Sequence, residues 1–524
     1  MKRSSRGLFV AIGAVWIAAT LPTSACTNQR RGSGSQGKTP VVYESRGAEL
    51  FAKHCAICHA VDGSGRGPGA SLLSPRTPDF GTALFNLVTS TNGMPRDDDL
   101  AHTLRRGMPG SAMPAFDWLD ASELDAVVDH VKVLGKRRMA QNFEADARKG
   151  GGKLDAVIAR SMAEEAWQPG AAIELAEKPS DATSMLAKGR ELYLRHCAAC
   201  HGDDGRGRGP IRAWTRTMHA GFARDFTQGI LRGPATFEAL CARILCGMPR
   251  AGMPPTHFED PSDTAALASY VSSLIPEGVS ERLVQKTVQL RASRVAKVSD
   301  RADEEAWSGA GRARIVLAPL EWSEDAIVEA DIAALHDGER VALRISWRDP
   351  SEDRSPIASD ACAVQFSSDA RPPLFGMGSH DKPTNMWHWR AFRLADIAGE
   401  LDALDAPHAR RDPLTGEPIE HDAPVYRTTP PLKESSRKAD EVHAEGMGKL
   451  DIAFTGTPVR AAAQWTDGKW YVVLSRKLVG DEKREIRFVP GEAVQFGVAI
   501  WNGAERRSTS FKSVTIWHRL VLDR

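Results

Sequence analysis

The 524-residue sequence has few cysteines, almost no net charge and, after its first 21 residues, no long apolar run. Eight cysteines are too sparse for a disulfide-built scaffold, which excludes the small disulfide-rich classes. A balance of 68 Lys+Arg against 67 Asp+Glu gives no support to nucleic-acid or polybasic membrane binding. With 42% hydrophobic residues the chain can still bury ordinary cores. Its length suggests about three domains.

The first residues are predicted to be an export signal. Three basic residues precede an apolar run over residues 7–21, which suits a signal peptide and is short of the roughly 20 residues of a membrane span. Cleavage before Cys26 would expose a thiol for lipid attachment, as in bacterial lipoproteins, although Thr23 stands where Leu is usual. We therefore expect a signal peptide at 1–25 and a Gly/Ser-rich linker at 26–40. The mature protein is then periplasmic, and either lipid-anchored at Cys26 or free.

A repeat organises the first half of the chain. Residues 47–68 and 189–210 agree at 14 of 22 positions, and a Gly-Met-Pro…Met-Pro pattern at 107–114 recurs at 247–254. Two matches at nearly one offset indicate a duplicated domain. Helical spacing of apolar residues and a thin core predict mostly helical copies, each filled by a large prosthetic group. The predicted organisation is a first copy at 41–138, a charged connector at 139–182, a second copy at 183–277, a linker at 278–300 and a different domain at 301–524.

Each copy contains the C-x-x-C-H pattern of haem c attachment. Two thiols at this spacing can add to the two vinyl groups of one porphyrin, and the adjacent histidine then presents its imidazole to the iron. A thioredoxin-like pair does not need the trailing histidine, and a zinc site needs further ligands in each copy. The sequence therefore predicts two covalent haems c, with these residues as tethers and proximal ligands: Cys55, Cys58 and His59, and Cys197, Cys200 and His201.

The distal iron ligand is expected to be a methionine. Over both copies the chain resembles class I cytochromes c, in which the C-x-x-C-H helix is followed by a Met in an M-P-x-F-like segment. By that resemblance Met113 and Met253 are the axial ligands, and Met108 and Met248 remain alternatives. Met94 has no counterpart in the second copy. His/Met ligation stabilises Fe(II) and raises the potential, which suits electron carriage.

Three further cysteines have less specific surroundings. Cys241 and Cys246 lie five residues apart on a predicted helix, which separates their Cα atoms by about 8 Å and exceeds disulfide reach. A disulfide between them remains an alternative if the helix breaks at Gly247. Cys362 lies in a predicted strand as a core residue.

The last third of the chain changes to a period-two alternation typical of strands. Turn sequences such as Asp467-Gly468 and Asn502-Gly503 separate the strands, and residues 403–447 are expected to be a surface loop. The predicted strands are 341–347, 361–366, 470–474, 494–500 and 513–522. They indicate a β-sandwich. The predicted fold class is thus multidomain, with two all-α cytochrome c domains followed by an all-β sandwich.

The C-terminal domain also carries a resemblance. Its motifs look like those of the haem-b-binding subunit of ethylbenzene and dimethylsulfide dehydrogenases, relatives of the DMSO reductase molybdoenzymes. They are D-G…L-R-I-S-W-R-D-P at 337–350, F-G-M-G at 375–378, M-W-H-W at 386–389 and I-W-N-G…K-S-V-T-I-W at 500–517.

In that family a Met and a Lys hold a non-covalent haem b. The resemblance implies Met377 as the Met and Lys512 as the Lys, with Lys382 and Lys477 as rivals. His380 and His388 are alternative ligands. Since only a deprotonated lysine can bind iron, Lys512 would have to be buried enough to lower its pKa.

The sequence favours an exported multihaem electron-transfer protein. It would pass electrons between a periplasmic redox enzyme and a respiratory chain or soluble carrier, and its partners would include a molybdenum-containing catalytic subunit. One alternative is a dihaem peroxidase or small-oxyanion reductase, but both copies keep their Met-Pro pairs, which would leave no open iron site. Another is a haem-carrying binding module without a third haem.

Overall fold

A computed structural model describes residues 43–524 with several gaps. The residues outside the description are 181, 212, 215–219, 222, 304, 356–358, 375–377, 379–383, 393–438, 445–449, 452–456, 481–484 and 505–511. The predicted ligand Met377, the alternatives Lys382 and His380, and the predicted export signal with Cys26 therefore lie outside the described residues.

Helices occupy the first half of the described chain, and most of them occur in two matching series. They are α1 (Arg46–His54), α2 (Ala56–His59), α3 (Asp97–Arg106), α4 (Ala121–Lys149), α5 (Ala156–Ala166), α6 (Ala182–His196), α7 (Ala198–His201), α8 (Phe237–Cys246), α9 (Pro261–Leu274) and α10 (Val279–Arg282). In the second series α6 to α9 repeat α1 to α4. Within the part of the chain that the structure describes, no helix combines the length and apolarity needed to cross a membrane.

The two series share one helix crossing. In the first, Gly47 of α1 lies against the backbone carbonyl of Ala126 on α4. In the second, Gly189 of α6 lies in the same way against the carbonyl of Ala266 on α9. A Cβ atom at either glycine would overlap that oxygen, so only glycine allows the helices this close. The repeat predicted from the sequence is therefore also a repeat of packing.

The predicted connector belongs to the core of the first copy. Helix α4 continues through the expected boundary at 138 and ends at Lys149, and α5 follows it. Met139 and Trp167 are buried in the same apolar cluster as the helices of the first copy. Gly135 leaves room for the Trp167 ring, which a Cβ atom would overlap. Residues 139–167 thus enlarge the core of the first copy instead of forming a separate connector.

The second half of the chain is a β domain. Its strands, together with one small pair in the second helical copy, are β1 (Ala213–Trp214), β2 (Ala220–Gly221), β3 (Gln289–Arg294), β4 (Gly311–Val316), β5 (Ala318–Pro319), β6 (Glu329–His336), β7 (Arg340–Arg348), β8 (Ala361–Ser367), β9 (Thr384–Arg390), β10 (Ala439–Ala444), β11 (Leu450–Asp451), β12 (Arg460–Thr466), β13 (Lys469–Lys477), β14 (Ala493–Trp501), β15 (Lys512–Val514) and β16 (His518–Leu522).

Most of the described strands of this domain follow one hydrogen-bonded path in two halves, and β4, β5 and β15 pair beside it. One half runs β11-β10-β9-β8-β14-β16 and the other β3-β6-β7-β13-β12, with β3 joining them through parallel pairs to β16 and β6. Side chains from both halves fill one apolar core, including Trp347, Trp389, Trp470 and Cys362. The predicted sandwich and the predicted core position of Cys362 are confirmed.

Local features of the β domain follow the sequence closely, with some differences. Asp467 and Gly468 both have positive φ, 52° and 68°, and form the two-residue hairpin turn between β12 and β13. The strand expected over 513–522 is two strands, β15 and β16. The sheet begins at Gln289, before the expected boundary at 301. Part of the expected surface loop, residues 439–444, is the sheet strand β10.

Candidate functional site

The two C-x-x-C-H segments adopt the same turn. In the first copy the backbone N–H groups of Cys58 and His59 donate to the Cys55 carbonyl at 3.1 and 2.9 Å. In the second copy Cys200 and His201 donate to the Cys197 carbonyl at the same distances. All four predicted tether cysteines are free thiols, half-buried at the junction of a long helix and a one-turn helix. This places both thiols of each copy beside the histidine that would bind the same haem.

The predicted proximal ligand His59 has the properties of a neutral imidazole. Its ring stacks on Phe80 with centroids 4.9 Å apart. Burial and then the charge of Arg250 lower its pKa to about 4. Its Nδ1 atom is buried without a hydrogen-bond partner among the described residues. A neutral ring suits an iron ligand, and the residues fit a covalent haem c.

The second copy repeats this arrangement with one additional contact. His201 stacks on Phe226 with centroids 4.5 Å apart, and burial lowers its pKa. Its Nδ1 lies 3.4 Å from the backbone carbonyl oxygen of Arg224. Such a contact orients a metal-binding imidazole and fixes its tautomer.

Both methionines of each copy lie on one small loop. The Met108 N–H donates to the Met113 carbonyl at 2.9 Å, and the Met248 N–H donates to the Met253 carbonyl at 2.8 Å. The glycine before each first methionine, Gly107 in the first copy, lies against the backbone of the second Met-Pro segment. All four methionines are half-buried. The fold thus brings the predicted ligands and their alternatives together, and the choice of Met113 and Met253 stays a prediction.

In the β domain, the predicted ligand Lys512 is half-buried. It begins β15, and its ammonium group is 5.0 Å from the centre of the Trp501 ring. Burial lowers its pKa to about 8, which meets the requirement for a lysine that loses its proton to bind iron. The rival Lys477 is exposed at the end of β13. Of Lys512 and Lys477, Lys512 is thus the one whose surroundings suit an iron ligand, while the rival Lys382 lies outside the described residues.

His388, an alternative ligand, lies on the same face of the sheet. It is buried, and neither ring nitrogen has a hydrogen-bond partner among the described residues. Its ring lies 5.3 Å from that of Trp501. Burial, followed by the charges of Arg390 and Lys512, lowers its pKa well below the usual value. An unpartnered neutral imidazole beside Lys512 also suits a ligand of haem b, which is not part of the polypeptide.

This sheet face has a floor of small side chains, which we call the alanine floor (Ala361, Ala363 and Ala499). His388 pairs across the sheet with Ala363, and Ala363 with Ala499. In the next row Ala361 pairs with Trp501, which pairs with Lys512. Residues paired directly across strands project from the same face. The alanine floor therefore carries Lys512 and His388 on one surface.

The first helical copy packs against this face. Cys58 and Ala499 are partly buried against one apolar cluster, which contains Leu73, Ala112, Leu320 and Val514. Ile516 and Leu374 of the β domain are buried in the core of the first copy. Arg371 also pairs with Glu123 of α4 at 2.7 Å. Cys58, one of the two predicted tethers of the first haem, thus lies at the edge of the alanine floor.

Arginine side chains join the two helical copies. Arg243 donates to the carbonyls of Asn86 and Val88 at 2.6 and 2.5 Å. Arg106 of the first copy donates to the Arg232 carbonyl at 3.0 Å. Each contact pairs a side chain of one copy with the backbone of the other, which fixes their relative position.

Some of these functional features were missed by sequence reasoning. The aromatic rings that stack on the histidines belong to an Asp-Phe pair in each copy, Asp79-Phe80 and Asp225-Phe226. This shorter repeat in the sequence could have identified them. The interdomain arginines lack any such signal, since their acceptors are backbone carbonyls.

Comparison with known proteins assigns families to three segments. Residues 44–135 and 186–274 match the cytochrome c family, and residues 305–513 match the ethylbenzene dehydrogenase family. A Haloferax mediterranei protein named as a respiratory nitrate reductase haem subunit is 28% identical over 202 residues, which are 37% of this chain and 56% of that protein. The cbb3-type cytochrome c oxidase subunit CcoP of Azospirillum sp. is 27% identical over 164 residues, 31% of this chain and 40% of that subunit.

The matches to relatives are partial. The chain spans about half the length of these two relatives, 56% and 40%. Among solved structures, a chain of the Kuenenia stuttgartiensis reducing HAO-like protein complex is 23% identical and covers 45% of this chain and 99% of its own, with a TM-score of 0.38.

Proposed function

This chain combines two cytochrome c domains with a C-terminal domain of the ethylbenzene dehydrogenase haem-subunit family, and we propose that it is an exported multihaem electron-transfer relay. Its carriers would be two covalent haems c and one non-covalent haem b. Bound haem supplies one-electron chemistry, while the protein supplies position, ligands and dielectric. The relay therefore needs no bond-making substrate site.

The observation that carries the proposal is the apolar cluster shared by the first cytochrome and the β domain. Cys58, a predicted tether of the first haem c, packs there with Ala499 and Val514, next to the face that carries Lys512. A haem bound on the alanine floor and a haem attached at Cys58 would thus occupy neighbouring sites. We infer that electrons pass directly between the β domain and the first cytochrome.

Named side chains would hold each carrier. The haems c would be tethered by Cys55 and Cys58 in the first copy and by Cys197 and Cys200 in the second. His59 and His201 would bind their irons. Met113 and Met253 are the proposed distal ligands. In the β domain Lys512 and Met377 are the proposed ligands of haem b, and Met377 lies outside the described residues. Six-coordinate irons favour electron transfer over substrate binding.

The proposed partners are other redox proteins. One relative is named as a haem subunit of a respiratory nitrate reductase and another as a subunit of a cytochrome oxidase, both respiratory enzymes. We propose a periplasmic location, with a molybdenum-containing catalytic subunit on one side of the relay and a respiratory chain or soluble carrier on the other. Lipid attachment at Cys26 is part of the same proposal.

Haem quantitation tests the relay. Pyridine-haemochrome spectra of the full chain, taken before and after acid–acetone extraction, separate covalent haem c from extractable haem b. We expect two haems c and one haem b per chain. Two covalent haems with none extractable would mean that the β domain is a binding module without haem, and would contradict the three-haem relay.

A further inference from the structure

Three arginines of the second cytochrome meet at its junction with the first. Arg224 donates from Nη2 to the Gly110 carbonyl at 2.6 Å and stacks 3.4 Å from the ring centre of Trp322 in the β domain. Arg250 donates to the carbonyl of Arg76. The backbone carbonyl of the third, Arg232, accepts from Arg106. We call these three side chains the arginine cluster (Arg224, Arg232 and Arg250).

The cluster keeps donors that the described part of the chain does not satisfy. Nη1 of Arg224 and Nε of Arg232 are buried and have no hydrogen-bond partner in the described part of the chain. Leaving a buried donor unmatched costs free energy, and the cost is larger when the group is charged. Two such donors at one junction suit a hydrogen-bond acceptor that is not part of the polypeptide.

The charges of the cluster are also uncompensated. Among the described residues, the charge that acts on the Arg224 guanidinium is that of another cation, Arg232. Burial, and then the charge of Arg250, lowers the pKa of Arg232 to about 10. Asp79 is the acid that acts on Arg250, but it is already paired with Arg138 at 2.8 Å. The junction therefore has an excess of buried positive charge, which an anion would relieve.

The cluster lies beside both predicted proximal ligands. The Arg224 backbone carbonyl faces Nδ1 of His201 at 3.4 Å, and the charge of Arg250 acts on the ring of His59. Each haem attached at these histidines brings two propionate carboxylates to its own domain. Arginine binds carboxylates through paired, charge-assisted hydrogen bonds, so these are acceptors of matching chemistry.

We infer that the arginine cluster is a shared anion site that binds propionate carboxylates of both haems c. This inference rests on the proposed function, because it needs both covalent haems. The arginine charges would oppose oxidation of the irons and raise both potentials. The site would also hold the two carriers at a fixed separation across the domain junction.

The test uses the full chain with both haems attached and the substitution Arg232→Gln. Its side-chain Nε is unpartnered, so the variant removes no described side-chain hydrogen bond. The readouts are haem c stoichiometry, both midpoint potentials, and redox-difference infrared bands of haem labelled with 13C at the propionate carboxyls. The matched control is Arg206→Gln, an exposed arginine of the same copy paired with Asp204.

We expect the Arg232→Gln variant to keep two haems c, to lower both midpoint potentials and to shift the labelled carboxylate bands. A fall in one potential alone would overturn the shared site. Arg206→Gln should change neither, and Arg232→Lys should recover part of the potential. Unchanged potentials and bands in Arg232→Gln would overturn the inference while leaving the relay intact. Wild-type potentials that depend on added phosphate would also overturn it, since the cluster would then be open to a free anion. Fewer than two haems c in the wild type would instead reject the proposed function.

Discussion

The ammonium group of Lys512 lies 5.0 Å from the centre of the Trp501 ring, across a directly paired position of β14 and β15. Burial at this place lowers the lysine pKa to about 8. The cost of removing the proton is therefore smaller than for an exposed lysine, whose pKa is near 10.4. Trp501 and the alanine floor together give Lys512 the apolar surroundings that an iron-binding lysine needs.

The first prediction concerns haem b. Lys512→Gln should abolish extractable haem b while the two covalent haems c remain, because one iron ligand is lost and the tethers are untouched. Pyridine-haemochrome spectra before and after extraction provide the measurement. Lys477→Gln, at an exposed lysine of the same domain, is the control and should retain haem b. If Lys512→Gln keeps haem b and His388→Gln loses it, the lysine assignment is wrong.

The second prediction concerns the distal ligands of the haems c. Replacing Met113 by His should lower one midpoint potential by a sizeable part of the roughly 0.8 V range that axial ligands control, and leave the other near its original value. Met253→His should do the same for the other haem. Potentiometric titration is the measurement, and Met108→Leu and Met248→Leu are the controls. A large fall in potential in the controls, with none in the histidine variants, would show that Met108 and Met248 are the distal ligands instead.

The sequence predicted the two cytochrome c domains well because haem c attachment requires fixed spacing. Cys55 and Cys58 must both reach one porphyrin edge, and that requirement is written in adjacent residues. The free state of Cys241 and Cys246 on α8 agrees with the helix-distance argument, since the helix does not break before Gly247. These predictions thus depend only on residues that are close together in the sequence.

Tertiary packing was less predictable. The connector gave no strand pattern, but nothing in its sequence showed that Trp167 would enter the core through the space left by Gly135. The single strand expected over 513–522 divides because β15 pairs with β14 and β5, whereas β16 pairs with β14 and β3. The arginine cluster depends on backbone carbonyls of another domain, which any sequence supplies. Long-range partners of this kind are invisible to periodicity.

The third prediction concerns pH. Asp349 and Asp360 are buried carboxyls that accept from the indole N–H groups of Trp347 and Trp470, at 3.4 and 2.9 Å. Burial, and then the charge of Asp360, raises the pKa of Asp349 from 3.8 to about 7. Between these values the folded state binds more protons than the unfolded state, so the free energy of unfolding falls as pH rises, and the loss is complete above pH 7.

Asp349→Asn should remove most of this loss, because its amide can donate to the Asp360 carboxylate as the protonated acid does. The effect on the free energy of unfolding at pH 8 relative to pH 5 is on the order of 3 kcal/mol. Denaturant unfolding of the full chain, followed by circular dichroism at both pH values, measures it. Glu352→Gln, at an exposed carboxylate paired with Arg354, should keep the wild-type pH dependence. An unchanged pH dependence in Asp349→Asn would mean that other groups cause it.

The last prediction concerns the helix crossing of the second cytochrome. Gly189→Val forces a side chain into the space occupied by the Ala266 carbonyl and the Tyr270 side chain, so α6 and α9 must separate. We expect a loss of about 3 kcal/mol in stability, confined to this copy, from overpacking and lost contacts. The count of covalent haems should fall from two toward one per chain, because the second copy no longer presents Cys197 and Cys200 in a folded site. Gly150→Ala is the control, since φ there is −77° and the nearest atoms allow ordinary contact. Two haems and wild-type stability in Gly189→Val would show that the crossing tolerates a wider spacing, and the close approach of the helices would then not explain the glycine.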